Sequence, residues 1–219
     1  MVQQQERRAY QDAVSAARFA EAKTYDQYVA SIAQNQHKFA DNLAKATAPE
    51  EYAARLRALV ARPDGPAKLL VIGEDWCPDV YRGIPVAAKI AAAAGLELRV
   101  LERDQNLDAA EPFKLNGEFL AIPVYVFYTR DHRYIAHWVE RPAVANEQMR
   151  EALSPVFGPS GTRQLTEKLG RPPTEEEKEA AKAETARRYD EFQLTSPYWA
   201  GWREATVREV TELLEAALA

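Results

Sequence analysis

The sequence predicts an α/β fold, a mixed sheet of about four strands flanked by helices, with α-helical extensions at both ends. Three observations predict it. Short apolar runs of strand length fill the middle of the chain: "KLLVIG" at 68–73, "LELRVLER" at 96–103, "PVYVFYT" at 123–129 and "RYIAHWV" at 133–139. A helix-length segment, 77–95, lies between the first two and closes on Gly95. On either side of this block, residues 5–61 and the stretch after Pro173 read as helical.

The elements follow in order. Tyr25, Tyr28, Val29, Ile32, Phe39 and Leu43 recur at helical spacing, with Thr24 placed to cap the segment. Tyr52, Leu56, Leu59 and Val60 continue into a further short helix, and "RPDG" at 62–65 is a turn. Residues 68–73 form a buried strand, 77–95 a helix and 96–103 a second strand. A right-handed crossover makes those two strands parallel. Residues 108–116 read as a short helix ending at Asn116-Gly117, with Asn106 or Asp108 as its cap. The strands 123–129 and 133–139, joined by Arg130-Asp131-His132, are an antiparallel hairpin. Residues 143–153 are helical. The prolines and glycines of 154–173 read as loop with a helical turn or two. Pro173 and the acids after it open a helix whose charged run is a solvated face, and a last helix spans about 201–218. The domain boundaries expected are 1–65, 66–153 and 154–219, with the C-terminal extension packed on the core.

Composition narrows the function classes. With 219 residues, 47% hydrophobic and 28% charged, the chain has the make-up of a soluble globular protein. A net charge of −5 and no dense basic cluster argue against nucleic acid as a partner. No apolar run approaches the roughly 18 residues of a membrane span, and the first residues lack a signal peptide's apolar core. A single cysteine excludes an intrachain disulfide and any multi-cysteine metal site from one chain. A cytoplasmic location and no metal or resident cofactor are expected.

The chemistry centres on "EDWCPDVYRGIP", residues 74–85. Cys77 stands between a strand and a helix, where backbone N–H groups without intrahelical partners can stabilise a thiolate. Pro78 at the first helical position forfeits no hydrogen bond. Arg82, one turn on, adds positive charge, while Asp75 and Asp79 oppose the thiolate. Lone cysteines are more often small buried hydrophobes, but the Trp76–Pro78 setting favours a reachable thiol. Pro123, after Ile122, opens a strand where a sheet tolerates proline; read alone it is an ordinary trans proline.

These residues resemble the thioredoxin fold. Trp76, Cys77 and the following helix match its Trp-Cys-X-X-Cys motif, and Pro123 matches the cis-proline beside the active site. The core resemblance covers roughly 66–153. The wider pattern is similar to a bacterial thioredoxin-like subfamily with helical extensions, through "TYDQYV" (24–29), "EDWCPD" with Arg82 and Pro85, "RDQNLD" (103–108), "IPVYVFY" (122–128) and "WVERP" (138–142). The departure is Val80, which replaces the second cysteine. The resemblance implies monothiol thiol–disulfide chemistry. Cys77 would be the nucleophile and Pro123 would shape substrate contact. Trp76 would cover the thiol, with Pro78, Asp79, Arg82 and Ile122 in support. Protein or small-molecule thiols and disulfides would be the partners, with a low-molecular-weight thiol as co-substrate for resolution. The alternative is a non-enzymatic binding or redox-sensing module. A third reading, two chains sharing an iron–sulfur cluster, needs a glycine-rich segment after Cys77 that the sequence lacks.

The remaining candidates read as structural. His37 is a surface or boundary residue, His132 lies in the hairpin turn, and His137 is a strand residue, structural or partly exposed. None has metal-ligand spacing with Cys77. Tyr198, Trp199 and Trp202 of "SPYWAGW" (196–202) can line a ligand or partner groove, but such aromatics more often anchor an extension onto the core, and the added helices can either shape a cleft over Cys77 or form a homodimer face.

Overall fold

The computed structural model describes residues 2–157 and 162–219. Four strands, β1 (Lys68–Gly73), β2 (Glu97–Glu102), β3 (Val124–Tyr128) and β4 (Tyr134–Val139), make one sheet in the order β2-β1-β3-β4. β1 pairs with β2 in parallel, Lys68 opposite Glu97, and with β3 antiparallel, Lys68 opposite Tyr128. β3 and β4 are the expected antiparallel hairpin. The expected cap at Gly95 is present in the left-handed conformation, closing helix α6 (Pro78–Ala94).

Strand side chains alternate between two faces, and each face is covered. Leu69, Val71, Tyr125 and Phe127 meet Val80, Ile84, Ala87 and Ile90 of α6 in one cluster. The same cluster takes in Phe39 of α4 (Gln36–Lys45) and Leu56 and Leu59 of α5 (Glu50–Val60). Val207, Val210 and Leu214 of the final helix, Tyr198–Ala217, join them. Leu70, Ile72, Val124, Val126 and Tyr128 face the other way, toward Val14, Phe19 and Phe113. Each fully buried apolar side chain of this size stabilises by about 1.5–3 kcal/mol.

The N-terminal region is five helices: α1 (Val2–Asp12), α2 (Ala16–Glu21), α3 (Tyr25–Ser31), α4 and α5. The apolar period running from Tyr25 to Leu43 does not mark one continuous helix. The chain breaks after Ser31, and Asn35 enters α4 with a left-handed φ of 61°. Thr24 does cap α3, in a reciprocal box with Gln27.

The expected helix over 108–116 is also shorter. α7 covers Leu107–Ala110 and gives way to a 3₁₀ turn, Glu111–Phe113, because Pro112 offers no N–H to continue it. Neither expected cap forms: Asn106 precedes α7 but makes no side-chain cap bond. Its amide instead donates to the Glu102 carbonyl and accepts from Arg18.

Residues 1–142 with 200–219 form one compact unit, and 143–199 form another. The boundaries therefore differ from those the sequence suggests. The helices before residue 65 belong with the sheet, because their apolar faces are buried on α6 and the strands. The C-terminal stretch divides: residues 200–219 of its final helix belong with the sheet, and 143–199 form a unit of their own.

In the second unit, α8 (Ala143–Phe157) runs past the expected 153 and carries Pro155 within it. α9 (Thr162–Leu169) supplies the helical turns expected within 154–173. Gly158, Pro159 and Gly161 lie outside the described residues. α10 (Glu175–Thr195) starts at a Thr174–Glu177 capping box. Its Glu175–Lys178, Glu179–Lys182 and Glu184–Arg187 pairs make the expected solvated charged face. Trp199 packs edge-on to Phe192 and donates from its ring nitrogen to the Phe192 carbonyl. Among the described residues, no helix is long and apolar enough to cross a membrane.

Candidate active site

Cys77 is the N-cap residue of α6, with extended backbone (φ −84°, ψ 125°). β1 delivers it through a tight turn. A Cβ on Gly73 would stand 2.9 Å from a Val80 methyl, so only glycine lets strand and helix approach this closely. Val80, where a second cysteine would stand, is fully buried on that glycine.

The Cys77 thiol is half-buried and points across the site, donating to the Ile122 carbonyl at 3.8 Å. Burial pushes the thiol up from its ordinary value, and the Asp79 carboxylate adds to this. The N–H groups of Val80 and Asp79 and the Arg82 charge oppose both. The position at a helix entry therefore supplies the expected stabilisation, but desolvation outweighs it.

Opposite Cys77, the Ile122–Pro123 peptide bond is cis. The Pro123 ring lies against α6 at Gly83, where an added Cβ would be 2.8 Å from its Cγ. The Tyr125 hydroxyl donates to the Gly83 carbonyl at 2.7 Å. Both residues thus fix the gap between the two sides of the site.

Trp76 is 46% exposed, and the Arg103 guanidinium sits 5.1 Å over its ring. Arg103 also donates to the Leu120 carbonyl, and the Asp104 N–H donates to Glu74 at 2.6 Å. The "RDQNLD" segment thereby steadies the turn that carries Cys77. Asp75 is engaged from another side. Its carboxylate accepts the N–H groups of Ala33 and Gln34, and its carbonyl accepts from Asn35. Tyr28, fully buried, has a hydroxyl without a hydrogen-bond partner; burial pushes it up, and the charges of Asp75, Glu74, Glu102 and Cys77 add to this.

A family model described as thioredoxin matches residues 22–154, more than half of the chain. The chain belongs to the thioredoxin family. The match begins well before the sheet, in keeping with helices α3 to α5 being part of the same unit as the strands. Two solved structures share this thioredoxin-like fold. One is a protein of unknown function from Pseudomonas aeruginosa, 19% identical, with a TM-score of 0.61 over 93% of this chain and 99% of that one. The other is an HIV epitope-scaffold, 20% identical, with a TM-score of 0.57 over 93% of this chain and 98% of that one. No curated protein matches.

Within this thioredoxin-like frame Cys77, Pro78, Asp79 and Arg82 lie at the entry and first turn of one helix, Cys77 against the Ile122 carbonyl and Pro123 against Gly83 of the same helix, with Trp76 exposed beside them. The structure also adds residues that sequence reasoning left without a role. Arg141, from the "WVERP" segment, reaches Asp79 at 2.9 Å, while Arg82 holds the same carboxylate at 2.6 Å. Glu140 pairs with Arg141 as well. The signal available beforehand was only that 138–142 and 74–85 belonged to one recurring pattern.

The histidines stand apart from the thiol chemistry. His37 is exposed. His132 is buried, stacked on Tyr128, and bonded through Nε2 to the Val14 carbonyl. His137 lies among Tyr10, Phe113 and Tyr134. Among the described residues, no group of three or more histidines, cysteines or acids could hold a metal ion.

Proposed function

We propose that this protein carries out thiol–disulfide exchange with one cysteine. The Cys77 thiolate attacks one sulfur of a disulfide, forming a mixed disulfide and expelling the other sulfur as a thiolate. A second thiolate, from a low-molecular-weight thiol, then attacks the mixed disulfide and releases Cys77. The two steps exchange partners and leave the overall count of electrons unchanged. Val80 has no sulfur with which to complete the second step internally. The observation that carries the reading is Cys77 at the entry of α6, its half-buried thiol set against the Ile122 carbonyl beside the cis Pro123. Ile122 and Pro123 bound the disulfide's approach, and Trp76 flanks it. Substrates are protein or small-molecule disulfides.

A consequence separates this protein from an enzyme with an acidic thiol. The raised thiol leaves a small thiolate fraction at neutral pH, so exchange is slow there and accelerates into the alkaline range, beyond the roughly 8.5 of a free thiol. The same raised thiol favours the second reading, a thioredoxin-like binding or sensing module that does not turn over.

The test incubates the protein and its Cys77→Ser variant with oxidised glutathione from neutral to alkaline pH, followed by intact mass. One adduct per wild-type chain is expected and none on the variant. The adduct should form faster as pH rises and persist until a small thiol is added. Adduct formation only after denaturant would overturn the proposal and leave the binding module.

A further inference from the structure

We propose that Arg141 is a positioning residue for Cys77, acting by holding and neutralising Asp79. The inference rests on Cys77 being the working thiol of the proposed exchange, and adds a residue from outside the helix that carries it.

Three observations converge on Arg141. Its guanidinium lies 2.9 Å from one oxygen of Asp79, while Arg82 takes the other at 2.6 Å. The Asp79 side chain is only 11% exposed, so this contact is shielded from solvent far more than a surface pair. Second, the backbone is bent to deliver Arg141. Glu140 adopts a left-handed φ of 70°, which an L-residue with a long side chain rarely takes, and its N–H donates to the Pro123 carbonyl at 2.7 Å. Third, Arg141 leaves its own Nε buried without a partner. The side chain is placed for its charge rather than for full hydrogen bonding.

The segment carrying Arg141 is therefore pinned to Pro123, and its charge is pinned to α6. One residue ties the two sides of the site. Its electrostatic effect runs through Asp79, which stands two residues after Cys77 and opposes the thiolate. The other charged groups at this contact are Arg82 on α6, which also acts on the thiol, and Glu140, whose carboxylate shares the Arg141 guanidinium with Asp79; Tyr28 on α3 feels the Cys77 charge and those of Glu74 and Asp75 in the preceding turn. Asp75 is already occupied by residues 33–35. Removing Arg141 leaves Asp79 with one guanidinium instead of two and strengthens its field at the sulfur.

The experiment reads Cys77 ionisation directly, as thiolate ultraviolet absorbance against pH with Cys77→Ser subtracted. It needs no disulfide, so failure of glutathione adducts to form and failure of this inference are separate results. Arg141→Met should move the midpoint up by roughly half a unit to one unit. Arg141→Gln, a second neutral variant of different shape, should do the same if the Met variant folds poorly. Arg141→Lys, which keeps the charge, should restore most of the shift. In an Asp79→Asn background, Arg141→Met should move the midpoint little. An unchanged midpoint in folded Arg141→Met and Arg141→Gln, or an equal shift in the Asp79→Asn background, overturns the proposal.

Discussion

Gly83→Ala offers a direct test of how tightly the site is built. Gly83 lies inside α6, where alanine is intrinsically better by about 1 kcal/mol. The tertiary structure opposes this gain. The new methyl would stand 2.8 Å from the Pro123 ring and 3.2 Å from the Tyr125 hydroxyl. Neither neighbour yields easily, because Pro123 is cyclic and Tyr125 is fully buried with its hydroxyl bonded to the Gly83 carbonyl. Overpacking of this kind costs about 1–3 kcal/mol. The net expectation is a loss of up to about 2 kcal/mol, a fall in Tm of up to about 8 °C for a chain of this size.

Gly201 supplies the control. It is helical and exposed, and an added Cβ there meets nothing within 4 Å. Gly201→Ala should therefore stabilise by about 0.5–1 kcal/mol. The assay is urea denaturation of both variants and the parent, with the rate of Cys77 adduct formation measured alongside. The gap between the two variants isolates the clash with Pro123. If Gly83→Ala proves as stabilising as Gly201→Ala, the close approach of α6 to Pro123 is refuted, along with the account of how the gap is held.

Two further expectations concern single residues. Val80→Cys restores a dithiol at the helix entry. It should form an intrachain disulfide with Cys77 under oxidising conditions and reduce insulin faster than the parent at equal thiol concentration, and a variant no faster than the parent would contradict the reading of Val80 as the missing resolving position. His137 is held neutral, since burial lowers its pKa to about 4, and its Nδ1 bonds the Tyr134 hydroxyl at 2.6 Å. The unfolded histidine binds a proton below about 6.5 while the folded one does not, so its contribution is present above pH 6.5 and lost as pH falls toward 4. Partial exposure keeps the loss to about 1–3 kcal/mol. His137→Phe should flatten the stability profile across that interval in urea titrations at fixed pH, and an unaltered acid limb would count against it.

Much of this protein was legible along the chain. The strands were legible as short apolar runs bounded by turn residues, β1 and β3 because both their faces are buried, and the helix closed by Gly95 between the first two strands implied the parallel crossover. Cys77 and Pro78 marked a helix entry, and Thr24 a cap, because those residue types solve a local hydrogen-bonding problem that neighbours in sequence pose. Family membership was legible for a similar reason: the order of these local elements is a property of the sequence.

Packing decided the rest. The break at Asn35 escaped the apolar period because α3 and α4 turn their apolar sides onto the same core, so the spacing continues through the break. The shortened helix after Asn106 followed from where Pro112 falls in the turn. Above all, the electrostatics of the thiol needed three dimensions. The sequence places Asp75, Asp79 and Arg82 near Cys77 but does not say which charges are already taken. The fold commits Asp75 to residues 33–35 and brings Arg141 to Asp79 from the far end of the hairpin. Burial then becomes the largest influence on the sulfur. Desolvation depends on everything that surrounds an atom, so only the folded chain could set it.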